Sequence, residues 1–373
     1  MKKQKEWFLN ISIVTFSFLL TFTFLEIFLR VSGLATDVAF VEGDQELGIK
    51  FIPNQTGTYV VGAFGGNKAR YQINSDGWNA TRDFKSKRDP GTIRIAVIGD
   101  SYVEAFQVPP EEAMSAVLEK NLLRYFALEV YPFGISGASL SQYMAKMRYV
   151  RNRFNPDLYI INIVHKDFPE SLTSKDRTIL QSIRTTGEGF EVVKPITYQP
   201  SPVRRIFARS AVVRYLFVNL KLGFKFEQLV RNLTHRAEDV KQTFEANVDV
   251  TQTNLETIKE AVSYIFKNYL QEVEGEREKL LLVMDSERNS IYEGVHPKNT
   301  RAFQYNKIFS EVCNELSLYC IDLTEQFWSD FRQNKRWFNS KIDGHWNTYG
   351  HSVAANQIEI FLLKNGFFNL SKS

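Results

Sequence analysis

Gly99-Asp100-Ser101 follows directly on the apolar run Ile93-Arg94-Ile95-Ala96-Val97-Ile98, and Asp343-Gly344-His345 lies far downstream, just ahead of the last helical stretch. A serine hydroxyl is a weak nucleophile until a base takes its proton, so Ser101 acquires chemistry only where an imidazole reaches it. Asp343, two residues before His345, is spaced to hold that imidazole in one tautomer and to stabilise its protonated form. Together the stretches offer a hydroxyl, a base and an orienting acid, the set that nucleophilic acyl chemistry needs. Each also has a plainer reading. Asp100 and Ser101 could simply cap a helix, and Asp343 with His345 could form a surface turn before a helix capped by Asn347. Other histidines compete as the base. Glu293-Gly294-Val295-His296 sets an acid three residues ahead of a histidine, but a helix, a strand and another helix still follow it, so His345 is favoured. His351 is expected to cap or pack the last helix, and His235 has no evident partner. Asp285, at a strand end, is placed to meet a substrate or to make a turn.

With these two blocks at opposite ends of an alternating pattern, the chain resembles the SGNH/GDSL hydrolases over roughly residues 93–166 and 279–364. The resemblance implies a three-layer α/β/α fold around a parallel sheet. It also implies a serine esterase or acyltransferase with Ser101, His345 and Asp343 as its triad, and no metal or organic cofactor. In that family a glycine after the second strand gives its backbone N–H to the oxyanion. Gly137 in Gly134-Ile135-Ser136-Gly137-Ala138-Ser139 fits that place beside the Ser101 amide, with Gly134 as the competing candidate. One block departs from the family. Where Gly-x-Asn-Asp is expected, the chain has Val164-His165-Lys166-Asp167, so Lys166 stands where an asparagine would donate to the oxyanion. An ammonium is a long point charge rather than a fixed amide. That departure also motivates a rival expectation, a non-catalytic carbohydrate-binding or assembly protein on the same fold. For the enzyme, the resemblance implies an O-acylated, chiefly O-acetylated, glycan as substrate, with water or a sugar hydroxyl as acyl acceptor.

The elements that must position these residues follow from periodicity. The run 93–98 suits a strand buried on both faces of a parallel sheet, and catalytic groups gather at the C-terminal ends of such strands. Strands are expected at 129–133, 157–164, 279–285 and 318–323, and helices at 111–126, 138–153, 300–316 and 348–364. The domain is expected to run over 91–373. Residues 30–90 read as a module of short strands and turns, bounded by Pro90-Gly91. Between about 168 and 275 helical periodicity dominates, which predicts a helical insertion. Within it Arg204, Arg205, Arg209, Arg214, Lys221, Lys225 and Arg231, against Glu227, alternate with Phe, Leu and Val. Such a basic amphipathic stretch suits a lipid surface, an anionic glycan or an ordinary solvated face.

Ahead of all this, Trp7 to Leu29 reads WFLNISIVTFSFLLTFTFLEIFL, close to the ~20 apolar residues that cross a bilayer. Lys2, Lys3 and Lys5 precede it, so residues 1–6 are expected in the cytoplasm, residues 7–29 in the membrane and the body outside. A cleaved signal ending near Gly33-Leu34-Ala35 is the alternative. The 46 Lys+Arg nearly balance the 42 Asp+Glu, which argues against nucleic acid as a partner. No Cys/His set has zinc-ligand spacing. Cys313 and Cys320 are expected to be two buried thiols, and to pair only if an oxidising compartment allows it. Sequons stand at Asn54, Asn79, Asn232 and Asn369 and carry little weight in a chain whose resemblance points to bacteria.

Overall fold

The computed structural model describes residues 2–222, 252–340 and 342–368. Lys225, Glu227, Arg231, Asn232, His235 and Asn369 lie outside the described residues. The described parts group into two compact units, one within Met1–Val38, Gly57–Ala69 and Pro200–Lys241, the other within Ala39–Thr56, Arg70–Gln199 and Gln242–Ser373.

The first unit begins with a helix over Lys2–Ser32, of which Glu6–Ser32 is long and apolar enough to cross a membrane. At its end Leu29, and just beyond it Ala35, pack with Ala211 and Val212. Thr36, Asp37 and Val60 take hydrogen bonds from Arg214 or Asn219, which ties the stretch 210–219 to the chain that leaves the helix.

The larger unit is an α/β domain. Its sheet has five strands: β1 (Ile93–Gly99), β2 (Leu128–Gly134), β3 (Leu158–Ile163), β4 (Leu280–Met284) and β5 (Tyr319–Asp322). They run β5-β4-β3-β1-β2, every neighbouring pair parallel. β2, β3 and β4 are buried at every residue, as strands covered on both faces must be. The short helix α1 (Ser101–Glu104) leaves the end of β1, followed by α2 (Met114–Leu122) and α3 (Leu140–Phe154). Beyond these come α4 (Gln252–Glu272), α5 (Phe303–Leu316), α6 (Thr324–Asn334) and α7 (Thr348–Lys364). On one face Met114, Leu118, Phe327, Ala354 and Ile358 bury against Ile95, Val97, Ile160 and Val283, so α2, α6 and α7 form that layer. On the other, α4 packs between α3 and α5. This is the three-layer α/β/α architecture that the resemblance implies.

Three local findings differ from the sequence reading. The stretch 168–275 is not helical throughout, because Ser182–Thr186 and Gly189–Val193 pair as an antiparallel hairpin. α4, the last part of that stretch, is a layer of the sheet domain, with Ile258, Ile265, Phe266 and Tyr269 buried. Cys313 and Cys320 form a disulfide rather than two free thiols. Ser317, left-handed at φ 52°, ends α5 and turns the chain straight back into β5, while Leu318 N–H closes on Cys313 O at 2.9 Å. That reversal sets the two Cα atoms 6.4 Å apart, within disulfide reach. Residues 30–90 contain two strand pairs, Val41–Asp44 antiparallel with Gly48–Phe51, and Gln55–Val61 with Asn67–Ile73. Asn79 is buried and its amide donates to Glu104 O at 2.7 Å, so its side chain is a structural strut.

Candidate active site

β1 lies where the order of the parallel strands reverses, and side chains at such strand ends project into a crevice. Asp100 is the N-cap of α1, its carboxylate accepting from Tyr102 N–H at 2.9 Å. Ser101 is therefore held as the first residue of a helix, where its amide has no intrahelical acceptor. Gly134 ends β2 directly under α1: a Cβ there would fall 1.9 Å from Glu104 N, so only glycine lets the helix sit so close. Close packing accounts for Gly134, which leaves Gly137 as the conformationally special residue of the loop. Ala138 N–H bonds Ile135 O at 3.2 Å, and Gly137 at the third turn position has φ +79°, as a type II turn requires. Gly137 is exposed, and its N–H is not the donor that closes the turn.

The loop before α7 meets Ser101 across the crevice. His345 Nε2 lies 2.7 Å from Ser101 Oγ, and His345 Nδ1 lies 2.5 Å from Asp343 Oδ1. The same carboxylate oxygen accepts the His345 backbone N–H at 2.9 Å. Burial alone would raise the Asp343 carboxyl, but these bonds and the imidazole charge hold it below the ordinary carboxylate value. An ionised Asp343 accepts a hydrogen bond from Nδ1–H, which leaves Nε2 as the acceptor for the Ser101 hydroxyl. Ser101 is buried at 6% exposure while His345 is partly exposed.

A second set of bonds holds the loop that carries His345. Arg288 Nη2 donates to Gly344 O at 2.6 Å and to Tyr102 Oη at 2.7 Å, and Tyr102 Oη donates to Gly344 O at 2.9 Å. Arg288 pairs in turn with Asp285 at the end of β4, and Trp346 Nε1 donates to the other Asp285 oxygen at 3.1 Å. Asp285 thus latches the loop to the sheet, the structural one of its two expected roles. The Tyr102 ring lies 4.9 Å from the imidazole and 5.1 Å from the Trp346 ring.

Beneath Ser101 is a buried ionisable cluster. Lys146 from α3 donates to Gly99 O at 2.6 Å and Phe133 O at 3.1 Å, clamping the ends of β1 and β2. Burial lowers its ammonium to about 7, against the pull of Asp100, Glu104 and Asp167. Glu104 accepts from Ser136 N–H and Oγ at 2.6 and 2.7 Å, and burial pushes it up to about 7 against those bonds. Asp167, buried beside Asp100, is raised well above the ordinary value, mainly by burial. Lys166, the departure in the third block, places its Nζ 3.5 Å from Asp100 Oδ2. Burial opposes its charge, but Asp100, Glu170 and Asp167 raise it above the ordinary lysine value. None of Glu104, Lys146, Arg288 and Tyr102 figures among the sequence candidates. Lys146 alone left a trace, as a charged residue on the helix face that also carries Tyr143, Met147 and Val150.

The other histidines lie elsewhere. His296 caps the turn Pro297–Asn299 and meets the Trp328 ring edge-on, centroids 4.9 Å apart. His351 is buried and accepts Met114 N–H at 3.2 Å; burial, then the charges of His345 and Arg288, lower it to about 3. Among the described residues no group of His, Cys, Asp and Glu could hold a metal ion.

No protein-family model matches the sequence, and no curated protein does. Solved structures resemble it at low identity. A two-domain esterase active on acetylated mannans, co-crystallized with mannopentaose, is 13% identical with a TM-score of 0.39, covering 73% of this chain and 49% of its own. The chain thus spans about half the length of that esterase. An acetyl xylan esterase is 13% identical with a TM-score of 0.39, over 71% of this chain and 98% of its own. The lipase/acylhydrolase from Enterococcus faecalis is 12% identical with a TM-score of 0.37, over 74% and 95%.

Proposed function

We propose that the chain is a serine esterase that removes acyl groups, chiefly O-acetyl, from an extracytoplasmic glycan. The observation that carries this reading is the 2.7 Å approach of His345 Nε2 to Ser101 Oγ, with Asp343 on the other ring nitrogen. Ser101 Oγ attacks the ester carbonyl carbon as its proton passes to His345 Nε2. The carbonyl oxygen becomes an oxyanion that the amides of Ser101 and Gly137 receive. Collapse breaks the bond to the sugar oxygen, which takes the proton from Nε2 and leaves as the alcohol. Water then attacks the acyl-serine, gives its proton to Nε2, and the second collapse returns that proton to Ser101 Oγ and frees the acid. Lys166 sits beside Asp100 and serves the cap of the nucleophile's helix by charge. The test is acetate release from an O-acetylated polysaccharide by the full chain, which Ser101→Ala and His345→Ala are expected to abolish. Release that survives both substitutions would overturn the reading.

The location belongs to the same proposal. The helix Glu6–Ser32 would cross the cytoplasmic membrane with Lys2, Lys3 and Lys5 inside and the esterase outside, by the bias of basic residues toward the cytoplasm. The Cys313–Cys320 disulfide suits an oxidising compartment.

A further inference from the structure

The smaller unit holds a surface that the esterase chemistry does not use. Over 202–218 the chain forms a helix, Pro202–Phe207, a break, and a second helical stretch from Ala211 to Asn219. One side of this stretch is bonded to its own unit. Arg214 Nε donates to Thr36 O at 2.7 Å, Asn219 Nδ2 to Leu34 O and Val60 O at 3.1 Å each, and Tyr215 Oη to Ala63 O at 2.8 Å. Other side chains are apolar and open: Val203, Ile206 and Phe207, at i, i+3 and i+4 of the first helix, are 59%, 67% and 57% exposed, and Phe217 on the second stretch is 59% exposed. Large apolar side chains left out in numbers on one face mark an interaction surface. Arg205, Arg209 and Lys221 flank them, exposed, and none has a carboxylate partner among the described residues.

The position of this face along the N-terminal helix identifies its occupant. Glu26 accepts Ala211 N–H at 2.9 Å, Val212 N–H at 3.0 Å and Ser210 Oγ–H at 2.8 Å. Arg30 bonds Glu26 at 2.8 Å and Arg209 O at 2.7 Å. The helix rises ~28 Å between Trp7 and Glu26 at 1.5 Å per residue, and the hydrocarbon core is ~30 Å thick. If Trp7 marks one boundary, Glu26 stands at the other, and so does everything bonded to it. Aliphatic and Phe side chains beside exposed cations, at the level of the headgroups, are the pattern of an element lying in the interface.

We propose that residues 203–218 are a second bilayer contact, seated in the outer interface of an anionic membrane with Ile206 and Phe207 among the upper acyl chains. The inference rests on the reading that the N-terminal helix spans the membrane. Two bilayer contacts on one unit would hold that unit at a fixed depth and tilt, where a single helix leaves it free to swivel.

The test uses the full chain in nanodiscs containing phosphatidylglycerol, with nitroxides on single cysteines at Phe16→Cys, Ile206→Cys, Phe207→Cys and Ile360→Cys. Cys313 and Cys320 are bonded to each other and do not react with the label in the absence of reductant. Labels at 16, 206 and 207 are expected to be relaxed by oxygen and shielded from a nickel chelate, and the label at 360, on an exposed position of the sheet domain, the reverse. Labels at 206 and 207 that match 360 while 16 remains in lipid would overturn the inference and leave the anchor standing. A change at 206 and 207 only on adding an acidic polysaccharide would assign the face to glycan and equally overturn it. An aqueous label at 16 would sink the anchor reading, and this inference with it.

Discussion

Asp343 takes two hydrogens from a single residue, the backbone and ring N–H of His345, so its charge fixes both where the imidazole lies and which nitrogen faces Ser101. Asp343→Asn can keep the shape but offers an amide where an anion stood, and is expected to lower kcat on the order of 10⁴-fold, read by steady-state hydrolysis. Gly137→Ala tests the proposed oxyanion donor. An added methyl meets nothing within 4 Å, so its cost is the left-handed backbone alone, about 1–2 kcal/mol. If the residue escapes that cost by turning its amide away, kcat should fall by about 10²-fold with KM little changed. Arg288 is a positioning residue, one donor holding both Gly344 O and Tyr102 Oη. Arg288→Lys loses the fork and is expected to slow acylation of Ser101 by a fluorophosphonate about 10-fold or more while substrate KM holds. At this scale the meeting of Ser101, Asp343 and His345 was legible because acyl chemistry demands particular side-chain types beside strand and helix ends. Arg288 was not, since an arginine three residues after Asp285 reads as any surface ion pair until the loop folds over it.

The elements that bring Ser101 and His345 together are joined by two buried side chains. Lys146 from α3 bridges the last carbonyls of β1 and β2. Lys146→Met keeps the length and strands both carbonyls, at a cost of about 1–3 kcal/mol each, visible as a lower urea midpoint. His351 from α7 supplies an acceptor to Met114 N–H, the first residue of α2. Its imidazole titrates at about 3 when folded, below its ordinary 6.5, so the unfolded chain binds the extra proton between those values. Stability should therefore fall as pH drops from 6.5 toward 3. His351→Gln, which retains an acceptor, should flatten that slope in urea melts taken across the same range. The buried strands and the larger helices were readable from unbroken apolar runs and helical spacing. The hairpin 182–193 was not, because five-residue strands around Gly187-Glu188 are too short to show a period. Nor was the disulfide, which depends on Ser317 adopting a left-handed turn that no residue type there announces.

For the molecule as a whole, the chain presents a sheet domain that carries Ser101 and His345 at one edge and a smaller unit built around an apolar helix. The anchor reading predicts that the protein stays in the membrane fraction through carbonate washing and leaves it only with detergent. Protease added to intact spheroplasts should digest the body while sparing an N-terminal tag. The composition made the helix plain from the start. The fastening of Glu26 to residues 210–212 was invisible, because a lone carboxylate near the end of an apolar run does not disclose what it caps.

All of the proposed chemistry depends on one hydroxyl being unusually reactive. Treating the detergent-solubilised full chain with a fluorophosphonate and mapping the adduct by mass spectrometry addresses that directly. The account predicts a single adduct on Ser101, lost in Ser101→Ala and strongly slowed in His345→Ala. A wild-type chain left unmodified, or labelling that persists after Ser101→Ala, would contradict it.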